Sequence, residues 1–297
     1  NGIGAVPITI GNADLKWERT LNYNIGLDVN LFNNRFDMTL DYYKKITDNL
    51  LLSVTKAPSV GVGTATENMG KIDNSGIEFR TRIIAIRNSN WDWTISLTAS
   101  HNKNKIRQIS NVLKEQNEKN NAEKSRAPMP VYEEGESISA VKAVQSGGID
   151  PATGREIFIG KDGKPTFTYD YRDKIVLGDS DPKVYGILSS YLTYKNFQLN
   201  MMFDYRLKAT VYNQTLVTRV EGSSPYNNAD ERVFKSRWKE VGDQVKYKNI
   251  ADQSIPDQTS RFIEDEYTLS LRSLSLSYDF VPAIYRKLHL SRLRVQL

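Results

Sequence analysis

The sequence predicts an all-β fold, part of a large antiparallel transmembrane β-barrel, on three observations. The first is strict alternation on both sides of a tight turn. Leu21, Tyr23, Ile25, Leu27, Val29 and Leu31 take the odd positions, with Asn22, Asn24, Gly26, Asp28 and Asn30 between them. After Asn33-Asn34 the alternation resumes with Phe36, Met38, Leu40 and Tyr42 against Asp37, Thr39, Asp41 and Tyr43. A period of two over about ten residues describes a strand with one apolar and one wet face. The second observation is that such strands recur in hairpins. The third is the rhythm of connections: short turns alternate with long polar segments, roughly residues 45–76, 102–184 and 207–268. Short turns at one end and long loops at the other are the outer-membrane pattern, with the long loops extracellular. A soluble sandwich turns about every 8–12 residues without that asymmetry.

Each hairpin can be registered. A turn at Asn33-Asn34 sets Leu31 opposite Phe36, Val29 opposite Met38, Leu27 opposite Leu40 and Ile25 opposite Tyr42. A turn around Arg87-Asn88-Ser89 joins residues 77–85 to 91–101. It is expected to pair Ala85 with Trp91, Ile83 with Trp93, Thr81 with Ile95 and Phe79 with Leu97. Lys195-Asn196 joins residues 186–194 to 197–206, pairing Tyr194 with Phe197, Leu192 with Leu199 and Leu188 with Phe203. Leu274, Leu276, Tyr278 and Phe280 then alternate with serines, and a Pro282-containing turn leads to Leu293, Val295 and Leu297. Leu269 and Leu271 have the opposite parity, which predicts a bulge near Arg272-Ser273. Aromatic rings near strand ends (Trp17, Phe32, Phe36, Tyr42, Trp91, Trp93, Tyr194, Phe197, Tyr205, Phe280) suit the two membrane interfaces.

Composition is consistent with this reading without requiring it. The 297 residues are 39% hydrophobic, and the mean hydropathy is −0.51. No apolar run is long enough for a transmembrane helix, but a barrel exposes only alternate residues to lipid. There are no cysteines, which removes disulfides and thiolate metal sites and fits an extracytoplasmic chain. Net charge is +5, with 40 Lys and Arg spread among 35 acidic residues. No basic stripe with base-stacking aromatics occurs, so nucleic acid is not a partner. The chain stops at Arg294-Val295-Gln296-Leu297 in mid-alternation, which predicts a piece of a longer protein.

The loops carry local structure. Residues 156–159 and 166–169 flank Lys161-Asp162-Gly163-Lys164, a hairpin-turn sequence. Residues 229–241 read as a short helix with Val233, Phe234 and Trp238 on one face. Residues 115–124 read as a loose surface excursion. Enzyme chemistry is not indicated. His101 and His289 are isolated, the serines at 273, 275 and 277 have strand period, and no base and orienter mark a nucleophile. Asp179-Ser180-Asp181 lacks the remaining ligand spacing of a calcium loop. No metal and no cofactor is expected.

Several motifs, in order, resemble the SusC/RagA-like family of TonB-linked outer-membrane transporters. They are Asn12-Ala13-Asp14-Leu15-Lys16-Trp17-Glu18, Asn24-Ile25-Gly26-Leu27-Asp28, Phe32-Asn33-Asn34-Arg35 and Asp41-Tyr42-Tyr43. Asn68-Met69-Gly70-Lys71-Ile72-Asp73-Asn74-Ser75-Gly76-Ile77-Glu78 and Asn102-Lys103-Asn104-Lys105-Ile106 follow. Gly148-Ile149-Asp150-Pro151, Arg237-Trp238 and Leu271-Arg272-Ser273-Leu274-Ser275-Leu276-Ser277-Tyr278 complete the series. Family members usually have Pro at Ala13 and an Arg-Leu pair at Ser270-Leu271.

The resemblance implies that residues 1–297 form a C-terminal portion of a roughly 22-stranded, plugged barrel in the outer membrane of a Gram-negative cell. The plug domain and last strands would lie outside this chain. It further implies TonB-driven import of a bulky nutrient, an oligosaccharide or peptide, with a SusD-like surface lipoprotein as partner and outer-membrane lipids around the wall. On that frame Asp28, Asp37, Asp41, Glu78, Arg80, Arg82, Asp92, Asp204 and Arg206 project into the lumen. Substrate contacts are expected in the loops, where Tyr132, Phe167, Tyr169, Tyr171 and Trp238 could stack on sugar rings or peptide groups. The alternatives are a non-transporting all-β surface binding or adhesion protein, and a barrel hydrolase built around His101.

Overall fold

In the computed structural model, the residues described are 11–55, 64–122, 127–224, 226, 230–252 and 254–297. Alternating stretches pair into one antiparallel sheet of eight strands. These are β1 (Arg19–Leu31), β2 (Phe36–Thr55), β3 (Thr64–Arg87), β4 (Trp91–Ile109), β9 (Val184–Tyr194), β10 (Phe197–Tyr212), β11 (Ile263–Asp279) and β12 (Arg294–Gln296), adjacent in that order. Between β4 and β9 the chain forms a helix, α1 (Asn111–Ala122), and a second sheet ordered β7-β6-β5-β8. Its strands are β5 (Ala140–Ile149), β6 (Glu156–Ile159), β7 (Pro165–Thr166) and β8 (Lys174–Asp179).

The first and third hairpins have the expected registers. Leu31 faces Phe36 and Ile25 faces Tyr42; Tyr194 faces Phe197 and Leu188 faces Phe203. At the first turn Phe32, Asn33 and Asn34 all take positive φ (57°, 54° and 64°), a conformation that asparagine tolerates better than most residues. The Arg272 bulge is present, since Ser273 faces Met202 but Leu271 faces Phe203. The second hairpin corrects the expectation by two residues: Ile83 faces Ile95, Thr81 faces Leu97 and Phe79 faces Ala99. An irregularity between Ile84 and Ile86 and a turn capped by the Asn88 side chain, which accepts from Asn90 N and Trp91 N at 2.9 Å, take up the difference. A shift of two leaves every side chain on its expected face.

The expected segment 45–76 is largely strand. β2 and β3 run 20 and 24 residues, about twice what a tilted strand needs to cross the apolar band. Past Tyr43 strict alternation gives way to Lys44, Lys45, Ile46, Thr47, Asp48 and Asn49 and then to three consecutive leucines, so the pattern fades while the ladder continues. The tip, residues 56–63, lies outside the described residues. Two loop readings are also corrected. Residues 115–122 complete α1, anchored by one apolar side chain, Leu113, against Ile72, Ile106 and Ile109. Asn117 adds a two-point bond to the Tyr132 backbone; residues 123–124 lie outside the described set. Of 229–241 only Arg232–Lys235 is helical, and Ala229 lies outside the described set. Trp238 N donates to Tyr247 O instead of continuing the helix, and Phe234 is exposed while Val233 is buried. The 161–164 hairpin forms as expected, between β6 and a β7 of two residues.

Candidate functional site

The turns lie side by side at one end of the large sheet: Ile84 N donates to Arg35 O, Lys195 N to Asn90 O and Asp279 N to Asn196 O. Rings gather there, with Trp91 and Tyr194 centroids 4.2 Å apart and Phe197 and Tyr278 4.7 Å apart. The last connection, residues 280–293, is longer than the others and holds two short helical turns. The long connections, and with them the second sheet, lie at the opposite ends of the strands.

The registers bring nine predicted residues onto one face of the sheet. Asp28 faces Thr39, whose hydroxyl it accepts at 2.7 Å. Asp37 is paired with Arg82 and also accepts from Asn30. Asp41 faces Glu78, and Arg80 faces Thr39 on one side and Thr98 on the other. Asp92 pairs with Arg87 at 2.9 Å. Asp204 lies 3.7 Å from Arg272, and Arg206 4.0 Å from Glu266. Around Asp204, Arg206, Arg272 and Tyr185 this face holds a cavity of about 520 Å³. The opposite face is apolar and open, with Ile25, Leu27, Leu269, Leu271 and Leu274 more than half exposed.

The motif residues meet one another across the fold. The Asn68 side chain bonds both backbone groups of Lys16, at 2.8 and 2.9 Å, and also Asn49 O. Tyr43 donates to Asn102 Oδ1 at 2.9 Å, and a Cβ on Gly76 would stand 2.5 Å from the Tyr43 hydroxyl. Trp238 donates to Pro151 O at 3.0 Å and lies over Gly154, where a Cβ would meet the ring at 2.6 Å. These motifs therefore fasten neighbouring strands and loops to one another.

Among the loop aromatics, Trp238 is engaged in that packing. Tyr132 packs on the cluster under α1 and lines a cleft of about 460 Å³ beside β5 and β8; burial raises its hydroxyl pKa. Phe167 is exposed, with the Arg155 guanidinium 5.1 Å from its ring centre. Tyr169 stands edge-on to Phe158 and lines, with Tyr171, a separate cavity of about 390 Å³ that includes Asn121, Arg172 and Asp257. The structure thus distributes the aromatics over several places and forms no single platform. His101 contacts the Lys183 carbonyl at 2.6 Å.

Sequence reasoning missed the buried charges that hold the loops together. Arg261 bonds Glu156 at 2.8 and 2.5 Å and Glu221 at 3.1 Å, with all three side chains at most 10% exposed. Burial opposes its charge, but the two carboxylates raise the guanidinium pKa on balance. Arg237, also buried, donates to the carbonyls of Val220, Glu221 and Lys248. The arrangement sits beside an apolar cluster of Leu216, Val217, Val220, Val233, Tyr247 and Phe262. Glu156 and Arg261 lie 105 positions apart, so no local signal could have joined them.

An open antiparallel wall, apolar on one face and charged on the other, with turns at one end and a folded loop region at the other, defines a segment of an outer-membrane β-barrel. The chain belongs to the TonB dependent receptor-like, beta-barrel family, whose model matches residues 2–296. It is 27% identical to TonB-dependent receptor P3 of Formosa agariphila over 98% of this chain and 30% of that protein. It is 28% identical to TonB-dependent receptor SusC of Bacteroides thetaiotaomicron over 68% of this chain and 20% of that protein. Among solved structures, the RagAB peptide transporter matches with a TM-score of 0.80 at 22% identity, covering 97% of this chain and 32% of that one. The chain thus spans about 30% of the length of the curated relatives it matches most fully. It is an outer-membrane protein of a receptor family.

Proposed function

We propose that this chain supplies wall and surface loops to an outer-membrane importer that takes up a bulky nutrient, an oligosaccharide or peptide. The observation that carries the reading is the family match across residues 2–296. In this reading the apolar face contacts lipid, and Asp28, Asp37, Asp41, Glu78, Arg80, Arg82, Asp92, Asp204 and Arg206 line the lumen. Their charges pair within the wall or with a plug, since an inward charge keeps water or partners that lipid would deny it. Tyr132, Phe167, Tyr169 and Tyr171 are candidate substrate contacts at the long-loop end. Residues 1–297 are read as the C-terminal portion of the barrel, and the parts that couple to TonB are sought in the rest of the relatives' length. A SusD-like lipoprotein is the proposed surface partner.

The test is uptake of labelled oligosaccharides and peptides by cells with the intact gene, with the gene deleted, and with TonB disrupted. Uptake lost equally in both mutants supports an energised importer. Unchanged uptake with surface adhesion lost would overturn it in favour of a non-transporting binding protein.

A further inference from the structure

We propose that the cleft between residues 128–132 and the β5–β8 pair binds the carboxylate of a peptide-like ligand, with the Lys174 ammonium as its counter-ion. The inference rests on the importer reading and names a substrate class for it. The β5–β8 register sets Lys142 opposite Val176 and Lys174 opposite Val144, so the two lysines are diagonal neighbours on one face. They are served unequally. Lys142 holds two carboxylates, Glu133 at 3.0 Å and Glu136 at 2.5 Å. Lys174 holds none among the described residues, although it too lines the cleft.

A half-buried ammonium beside another cation is a poor arrangement unless an anion completes it. Burial first, and Lys142 second, push the Lys174 pKa down; the charge of a bound carboxylate would oppose both effects. Glu133 is 58% exposed, so water screens it and it does little for Lys174. The cleft, about 460 Å³, has walls of Met129, Ile138, Val141 and Val211, with Met129 and Ile138 still more than a third exposed. The lining also includes Ser139, Ser180, Thr210 and Tyr212, and apolar walls with a few polar groups around a charged anchor match a common form of small-ligand site. The exposed Met129 and Ile138 side chains beside Lys174 favour a carboxylate on an apolar body, such as a peptide terminus next to a Leu or Val side chain.

The experiment is calorimetric titration of the full-length protein in detergent with three probes: N-acetyl-Val-Leu, its C-terminal amide, and glucuronate. The acid should bind at least about tenfold more tightly than the amide, the worth of one charge-assisted hydrogen bond. Lys174→Met should remove that difference and Lys174→Arg should keep most of it. The acid–amide comparison on the unmodified protein does not depend on any variant folding. Equal binding of acid and amide, no binding of either, or a preference for glucuronate would each overturn the inference. If binding fails while uptake persists, the importer reading stands and this site falls. If binding holds in a protein that imports nothing, the site stands and the importer reading falls.

Discussion

The sheet wall and the folded loops at its far end are stabilised in different ways. The wall is one layer of backbone ladder, and in β1 almost every side chain is exposed on either face; lipid on one side and lumen contents on the other are left to complete it. The loops enclose fully buried side chains of their own, including Phe262, Val144, Val217, Val220 and Val233. They also bury charge, Arg261 between Glu156 and Glu221. The wall answers to its solvent, whereas the loops answer to one another. Substitutions should therefore damage one region without the other.

The largest effect expected is on the loops. Arg261→Met leaves Glu156 and Glu221 buried without their common partner, and breaking such a group costs about 3–5 kcal/mol. Hydrogen exchange on the full-length protein should show peptides from residues 140–180 and 213–262 losing protection. The β1–β2 ladder should keep its protection. If both regions lose protection together, the division into wall and loops is wrong.

The next effect belongs to the wall. Leu27 faces Leu40 on the apolar side near mid-strand, so Leu27→Arg should cost about 2–4 kcal/mol of barrel stability in lipid. Asp28→Asn, one residue along on the charged face, should cost far less. Equal costs in a urea titration of the reconstituted protein would reverse or abolish the assignment of faces.

The same difference decides what could be read from sequence. In the wall, each residue's neighbours follow from a period of two and a turn, so two hairpin registers, the face of all nine charged residues and the Arg272 bulge were legible. The second hairpin slipped by two because the one-residue irregularity near Ala85 and the turn together shift the register by an even number, which keeps the parity of Phe79, Thr81 and Ile83 and so leaves no trace in their alternation. The extensions of β2 and β3 were illegible because alternation is imposed by lipid and ends where lipid ends. In the loops, order comes from pairs such as Glu156 and Arg261, or from a polar helix held by Leu113 and Asn117. No spacing rule connects such residues. The motifs behind the family resemblance were visible as letters, but their role as fasteners, Asn68 on Lys16 and Trp238 over Gly154, needed three dimensions.

One of those fasteners gives a smaller effect that ties the two regions to a single test. Gly154 has φ +69°, and a methyl there would also press on the Trp238 ring. Gly154→Ala should cost about 1–2 kcal/mol from backbone handedness alone. Limited proteolysis of the full-length protein should show faster cleavage near residues 236–246, with the wall unaffected. Cleavage at the unmodified rate would mean that Trp238 does not hold the loop.

The smallest expected effect separates loop charge from loop packing by pH. Asp252 lies 2.8 Å from the Lys248 ammonium and accepts Ser254 N at 3.0 Å. Burial works against its ionised form, but the bonds from Lys248 and Ser254 outweigh it and hold its pKa at about 2. The unfolded value is about 3.9, so the folded pKa is depressed. The stabilisation is then complete above about pH 4 and disappears as the pH falls through about 2. With the Asp252 side chain 40% exposed, solvent screening leaves about 1 kcal/mol, or about a fivefold difference in local opening. Asp252→Asn removes the ionisation and keeps the shape. Exchange protection of residues 246–252 in the unmodified protein should exceed that of the variant about fivefold at pH 5, and the two should converge near pH 2. A gap that persists at pH 2 would assign the stabilisation of this loop to packing instead of charge.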